Sequence, residues 1–126
     1  MGQGYLIDTN VLIDFLGNKL PKNGADFVGN IPLVISVITK MEILGWYQAT
    51  NEQILHLTEV VESGLIIGLH EAHIKQTIAI RQTHKIKLPD AIIAATALAE
   101  NLTLVTRNEA DFNSISKLII INPWKM

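Results

Sequence analysis

The chain has 126 residues, of which 48% are hydrophobic and 17% charged, with a formal net charge of −2 and no cysteine. This length predicts a single domain, and the composition excludes a disordered chain. The lack of cysteine excludes disulfides and thiolate metal sites, and the net charge excludes a protein that binds nucleic acid through charge alone.

The first predicted element is a short buried strand that ends in an acidic turn. Residues 5–7 are apolar, residues 8–10 are all of helix-capping type, and residues 11–16 are apolar at helical spacing before Gly17. In open α/β sheets, ligands bind beyond the carboxyl ends of the strands. Asp8 is therefore a candidate functional acid, with capping of the helix as the alternative role.

A loop separates this unit from a second strand and helix. Residues 17–32 are rich in Gly, Asn and Pro, which predicts a loop with at most one short helix near residues 25–28. Residues 33–35 predict the second strand, and Ser36 is expected to cap a helix over residues 37–48.

Glu42 is the second candidate acid. At about 100° per residue, Glu42 falls inside an apolar stripe between Ile38 and Trp46. An acid directed towards the core needs a partner or a cation. A glutamate at the edge of the stripe that reaches solvent is the alternative.

The middle of the chain predicts helix, strand and helix. Asn51 is expected to cap a helix that Gly64 ends, residues 65–67 predict a third strand, and residues 71–83 predict another helix. A basic cluster closes this segment: Arg81, His84, Lys85 and Lys87. It predicts either a solvated helix end or an edge that contacts phosphate.

The next helix carries the third candidate acid. Pro89 suits the first helical position and Asp90 the first turn, while residues 91–99 are apolar on nearly every side. This pattern predicts a central, fully packed helix with an acid at its positive end. Asp90 either stabilises the helix dipole or has a function.

A fourth strand is predicted over residues 102–106, with Asn108 and Asp111 in the loop beyond it. Residues 118–121 predict a last short strand before a polar tail. This order predicts a parallel sheet covered by helices on both faces.

Four acids are then expected at one rim of the sheet: Asp8, Glu42, Asp90 and Asp111. A pair of carboxylates 4 Å apart repels by roughly 4 kcal/mol at an effective dielectric constant of 20, so such a cluster requires a cation. Oxygen ligands suit Mg²⁺ or Mn²⁺, which support attack of activated water on phosphate.

The same residues resemble the PIN-domain family, and more narrowly the VapC ribonuclease toxins of toxin–antitoxin pairs. The matching segments, in the family's order, are LIDTNVLI, ISVITKMEILGW, KLPDAIIAATALAE and LVTRNEADF. The resemblance implies one PIN-like domain over residues 1–126, an α/β/α sandwich around about five short parallel strands in the order 3-2-1-4-5. It implies a metal-dependent endoribonuclease that uses Mg²⁺ or Mn²⁺, cleaves RNA, forms a homodimer and pairs with a small antitoxin.

The resemblance also assigns roles to residues. Four acids would bind the metal and serve catalysis: Asp8, Glu42, Asp90 and Asp111. Two polar residues would position water or a carboxylate: Thr106 and Asn108. Four cations are expected to contact the RNA backbone: Arg107, Arg81, Lys85 and Lys87.

Three alternative functions stay open. A phosphatase could use Asp8 as a covalent nucleophile, but Asn10 stands where haloacid-dehalogenase-like enzymes have a second aspartate. A PIN-like binding module without turnover could use Trp46 and Tyr47 as an interface. A PIN ribonuclease could also act in RNA processing rather than as a toxin.

Nothing in the sequence indicates a membrane or an exported protein. The first ten residues lack a basic segment and include an acid, so we expect no secretory leader. The longest apolar run, residues 91–99, is too short to span a bilayer. We therefore expect a cytoplasmic protein.

Overall fold

The structure is a computed structural model that describes residues 4–126, so the first three residues of the predicted domain lie outside it. The strands are β1 (Tyr5–Ile7), β2 (Val34–Ser36), β3 (Leu65–Ile67), β4 (Thr103–Val105) and β5 (Ile120–Ile121). The helices are α1 (Thr9–Leu16), α2 (Lys22–Asn30), α3 (Val37–Leu44), α4 (Asn51–Glu62), α5 (Glu71–Thr83), α6 (Leu88–Ala99) and α7 (Glu109–Phe112). A 3₁₀ helix follows at Pro123–Lys125.

All strand pairs are parallel. Strand β4 lies between β1 and β5, and β2 pairs with β3. Strands β1 and β2 contact each other without a shared ladder of hydrogen bonds. The spatial order is therefore β3-β2-β1-β4-β5, which is the order implied by the resemblance, with the ladder interrupted between β2 and β1.

The two faces of the sheet carry separate apolar cores, because successive residues of a strand point to opposite faces. Leu6 and Leu104 pack with α5, α6 and α7 on one face. Ile7 and Val105 pack with α1, α2, α3 and α4 on the other. This arrangement confirms the predicted three-layer sandwich.

Helix α6 is the most deeply buried helix, as its composition predicted. Every residue from Ala91 to Ala97 is buried. Its small side chains let it pack closely against the sheet and α5. Asp90 is thus held at the start of a rigid helix.

Several predicted boundaries are wrong. Helix α2 is longer than the short helix predicted near residues 25–28, because Val28 anchors it in the core. Helix α3 ends at Leu44 and not near residue 48, because Gly45 caps it and Gln48 has a left-handed φ of 70°. The cap of α4 is Thr50 and not Asn51, because Thr50 and Gln53 form a reciprocal capping box.

The end of the chain also differs from the prediction. Strands β4 and β5 are shorter than predicted. The segment expected as a loop after β4 contains helix α7, with Asn108 as its N-cap. The polar tail forms the 3₁₀ helix. None of the helices within residues 4–126 combines the length and hydrophobicity that a membrane crossing requires.

Candidate active site

Asp8 lies at the carboxyl end of β1 and is only 6% exposed. One carboxylate oxygen accepts a hydrogen bond from the Thr9 backbone N–H at 2.8 Å, which caps α1. The other oxygen accepts from the Thr106 hydroxyl at 2.8 Å. The capping interpretation is therefore correct, and it coexists with a buried acid tied to the end of the neighbouring strand.

A chain of hydrogen bonds continues from Asp8 to Asp111. The Thr106 hydroxyl accepts from the Asn108 N–H at 3.0 Å, and the Asn108 side-chain amide donates to Asp111 Oδ2 at 2.7 Å. The backbone N–H of Asp111 lies 3.4 Å from Asn108 Oδ1. Asp111 thus lies within α7, not in a loop, and the turn after β4 orients both carboxylates.

Glu42 is not directed towards the core as its helical position suggested. The buried residues of α3 are Thr39 and Ile43, so the buried side of the helix is centred on them and not between Ile38 and Trp46. Glu42 lies on the flank of that buried side and is an exposed residue. Its Oε1 accepts a hydrogen bond from the Thr9 hydroxyl at 2.6 Å.

Thr9 joins two of the acids. Its N–H donates a hydrogen bond to Asp8, and its hydroxyl donates to Glu42. Because a hydroxyl has only one proton to donate, the Thr9 hydroxyl accepts from the hydroxyl of buried Thr39, 2.9 Å away. The sequence analysis treated Thr9 only as a residue of helix-capping type and did not consider Thr39. Thr39 is three residues before Glu42, so the two side chains lie on adjacent turns of the same helix face. This spacing was the signal that could have identified Thr39.

The charges of the four acids act on one another. Burial raises the pKa of Asp8 above its ordinary value, and the charges of Asp90 and Glu42 raise it further. The hydrogen bonds that Asp8 accepts lower its pKa, but they do not cancel these effects. Burial also raises the pKa of Asp90, with contributions from Asp111 and Glu42, while Lys87 opposes the shift. The structure therefore brings the four predicted acids into one electrostatic cluster.

This donor set fits a hard divalent cation in its chemistry. Carboxylate oxygens are the ligands that Mg²⁺ and Mn²⁺ prefer, and a cation would offset the burial and the repulsion that together raise the pKa of Asp8 and Asp90. Within residues 4–126, however, no three acidic or histidine side chains are arranged to hold one ion together.

A pocket of about 310 Å³ opens beside Asp8. Its lining residues are Asp8, Asn10, Asp14, Arg107 and Asn108. Asn10 and Asp14 share one face of α1 because they are four residues apart. That spacing could have identified Asp14, which the sequence analysis did not select.

The four predicted RNA-contacting cations have different surroundings. Arg107 lines the pocket, with its guanidinium carbon 4.6 Å from the ring centroid of Trp124. Lys87 is close enough to lower the pKa of Asp90. Arg81 instead donates to the Ile86 carbonyl at 3.3 Å and supports the α5–α6 connection, where Lys85 is exposed.

The raised pKa of Asp90 predicts that its charge destabilises the metal-free fold. An acid with a raised folded pKa carries no penalty below its ordinary value of 3.8, and the penalty is complete above the folded pKa. In EDTA at pH 7, Asp90→Asn should raise the free energy of unfolding by about 0.5–1 kcal/mol, or roughly 2–4 °C in Tm. Burial and repulsion are expected to outweigh the lost interaction with the helix dipole.

Thermal unfolding of both proteins between pH 4 and pH 7 measures this effect. The stability gained by Asp90→Asn should decrease as the pH falls towards 4, because the Asp90 carboxylate of the wild type becomes protonated. Asp26→Asn is the control, since Asp26 is an exposed acid on α2 that pairs with Lys22. An Asp90→Asn protein no more stable than the wild type at pH 7 would contradict the prediction.

Comparison with known proteins agrees with this fold. The sequence model of the PIN domain matches residues 5–118. No curated protein sequence gives a significant match.

Solved structures match nearly the whole chain. A toxin–antitoxin complex from Klebsiella pneumoniae contains a chain with 32% identity and a TM-score of 0.79, with coverage of 98% of this chain and 100% of that one. A chain of VapBC-1 from nontypeable Haemophilus influenzae has 28% identity and a TM-score of 0.79, with coverage of 97% of this chain and 98% of that one. A chain of VapBC2 from Rickettsia felis, solved with a DNA fragment from its promoter, has 27% identity and a TM-score of 0.76, with coverage of 94% of this chain and 97% of that one. The chain belongs to the PIN domain family and resembles the toxin–antitoxin proteins of VapBC type.

Proposed function

We propose that this protein is a divalent-metal-dependent endoribonuclease that hydrolyses RNA phosphodiester bonds, and that it is the toxin of a VapBC-type pair. The observation that carries the proposal is the chain of hydrogen bonds that joins Glu42, Asp8 and Asp111 through Thr9, Thr106 and Asn108. Asp90 lies close enough for its charge to raise the pKa of Asp8. Repulsion among these acids has no structural benefit, whereas metal-assisted phosphodiester hydrolysis needs such a donor set. Membership of the PIN family favours this chemistry over the phosphatase alternative.

Asp8, Asp90 and Asp111, with help from Glu42, would hold Mg²⁺ or Mn²⁺. When bound, the ion would supply a nucleophilic water at neutral pH and neutralise charge on the phosphate. The other residues prepare the site. Thr9 and Thr106 fix the two oxygens of Asp8, while Asn108 fixes Asp111, so these two carboxylates are already oriented before substrate arrives.

The substrate must approach an acidic site on a chain of net charge −2. Arg107 in the pocket and Lys87 beside Asp90 supply local positive charge, with Lys85 and Arg81 further along the α5–α6 connection. Backbone phosphates of RNA would bind these cations. The charge pattern favours a selective enzyme acting on RNA over a nonselective binder of nucleic acid. The proposed place of action is the cytoplasm.

A small antitoxin and a second copy of the chain are the proposed protein partners. The support is the similarity to toxin–antitoxin complexes and two aromatic side chains in the α3–α4 connection. Trp46 is 53% exposed and Tyr47 is 83% exposed, so neither belongs to the core. Exposed aromatic side chains of this kind are enriched at protein interfaces.

The proposal is tested by incubating purified protein with a pool of labelled RNAs in Mg²⁺ or Mn²⁺. Parallel reactions contain EDTA or the Asp90→Asn variant, purified in the same way. We expect cleavage that both controls abolish and that excess metal restores after EDTA treatment. Cleavage that survives Asp90→Asn would show that the activity comes from elsewhere.

Two further results separate the remaining alternatives. Mn²⁺ binding without cleavage of any RNA would favour a PIN-like binding module. An RNA-processing ribonuclease would be favoured by three results together. The protein would cleave RNA in a metal-dependent way, its expression would not arrest growth, and no small partner would co-purify with it.

A further inference from the structure

We propose that Arg107, stacked on Trp124, forms a subsite for a backbone phosphate of the bound RNA, and that Trp124 is the positioning residue of this subsite. The inference rests on the proposed function, because the phosphate belongs to the RNA that the acidic cluster would cleave. It adds the C-terminal 3₁₀ helix to the substrate site.

The position of Arg107 is unusual for a cation in an acidic pocket. It shares the pocket with Asp8 and Asp14, yet within residues 4–126 it forms no ion pair with either acid. Its guanidinium lies instead over the face of Trp124 at 4.6 Å. A stacked guanidinium keeps the N–H donors at its edge available, in the fork geometry that matches phosphate oxygens.

Contacts with α7 hold Trp124 in place. Glu109 Oε2 accepts a hydrogen bond from the Asn122 amide at 2.6 Å and lies 3.0 Å from Lys125 Nζ. Asn122 Oδ1 accepts in turn from the Trp124 N–H at 2.9 Å.

Helix α2 supports the same segment from the other side. Pro123 is buried, and a Cβ atom at Gly24 would overlap its carbonyl group. The helix and the C-terminal segment can approach this closely only because residue 24 is glycine. The segment that carries Trp124 is therefore held between α2 and α7 before any ligand binds.

The chemistry of the pocket selects phosphate as the ligand. Asp8 and Asp14 repel anions, so an anion can bind there only through the one cation among the lining residues, Arg107. Without the stack, that cation would be free to pair with Asp8 or Asp14 and lose its donors. Trp124 thus keeps the positive charge directed at the substrate rather than at the acids.

The test measures binding of a labelled single-stranded RNA in EDTA, where fluorescence anisotropy reports affinity without cleavage. Arg107→Met should weaken binding by about tenfold and reduce the slope of log affinity against log salt by about 0.7. Trp124→Leu should weaken it by about three- to tenfold, and Trp124→Phe by less than about twofold. In cleavage assays, Trp124→Leu should raise KM while kcat stays within about twofold.

A double-mutant cycle separates positioning from direct contact. If Trp124 acts through Arg107, Trp124→Leu will have no further effect on affinity in the Arg107→Met background. Additive losses would mean that Trp124 contacts RNA itself and would overturn the inference, as would unchanged affinity in either single variant. Circular dichroism melting must first show that each variant is folded.

A matched control is available on the same chain. Lys75→Met removes an exposed cation on α5 that does not line the pocket. This variant should bind RNA like the wild type. A wild type that binds RNA in the expected pattern but never cleaves it would support the subsite and overturn the proposed nuclease. If the wild type cleaves RNA but substitution of Arg107 and Trp124 leaves RNA affinity unchanged, the proposed nuclease is supported and the subsite is overturned.

Discussion

Replacing Asp8 with asparagine is expected to lower the rate of metal-dependent RNA cleavage by at least about a hundredfold, because even residues that only support a metal ligand are worth about 10–100-fold. Asp8 is the most buried of the four acids, and both of its oxygens have fixed donors. Asparagine keeps an oxygen that can cap α1, so the fold should persist. Asp8→Asn removes the negative charge that Asp8 would contribute to binding the metal.

Initial cleavage rates at saturating Mn²⁺, with circular dichroism of both proteins, measure this effect. Calorimetric titration of Mn²⁺ provides a reading that does not depend on finding the right RNA, and Asp8→Asn should weaken metal affinity as well. Asp26→Asn, an exposed acid on α2, is the control and should change neither quantity. Full activity in a folded Asp8→Asn protein would refute the assignment of the site.

Truncating Phe112 to alanine is expected to lower the free energy of unfolding by about 3–5 kcal/mol. Phe112 is 0% exposed and packs in the core with Leu6 and Leu104. Helix α7 has only four residues and cannot be stable alone. The Phe112 ring attaches it to the core, in addition to the contacts of Glu109 with the C-terminal segment. Total stabilities of about 5–15 kcal/mol make this loss a large fraction.

Urea unfolding of the variant and the wild type gives the difference in free energy directly. Phe27→Ala is the comparison, because Phe27 is half-buried and makes an edge contact with Tyr5 rather than filling the centre of a core. It should have a clearly smaller effect than Phe112→Ala. Equal losses would mean that α7 is attached by contacts other than the Phe112 ring.

The elements with strong local signals were predicted well from the sequence. Residues 5–7, 65–67 and 71–83 form the strands and the helix that were expected, and α6 is buried throughout. The acids at strand ends could be placed at one rim because parallel topology fixes which edge each strand end reaches. This geometry needs no knowledge of side-chain contacts.

Contacts between distant segments could not be predicted in this way. The centre of the apolar stripe in α3 depends on which side chains meet α1 and the sheet, and helical spacing alone placed Glu42 inside it, between Ile38 and Trp46. Nothing local indicates that buried His73 lies 2.8 Å from Glu100, 27 residues away. The place of Trp124 over Arg107 likewise depends on how the chain returns after β5.

The hydrogen bond between Asp8 and Thr106 has a consequence for synthesis on the ribosome. It joins residues 98 positions apart, and β1 acquires its partner β4 only when that late segment is available. Such non-local pairing is slow and cannot start from the N-terminal part alone. A nascent or prematurely terminated chain would therefore lack the assembled acidic site, which can form only after nearly the whole length of the chain has left the ribosome.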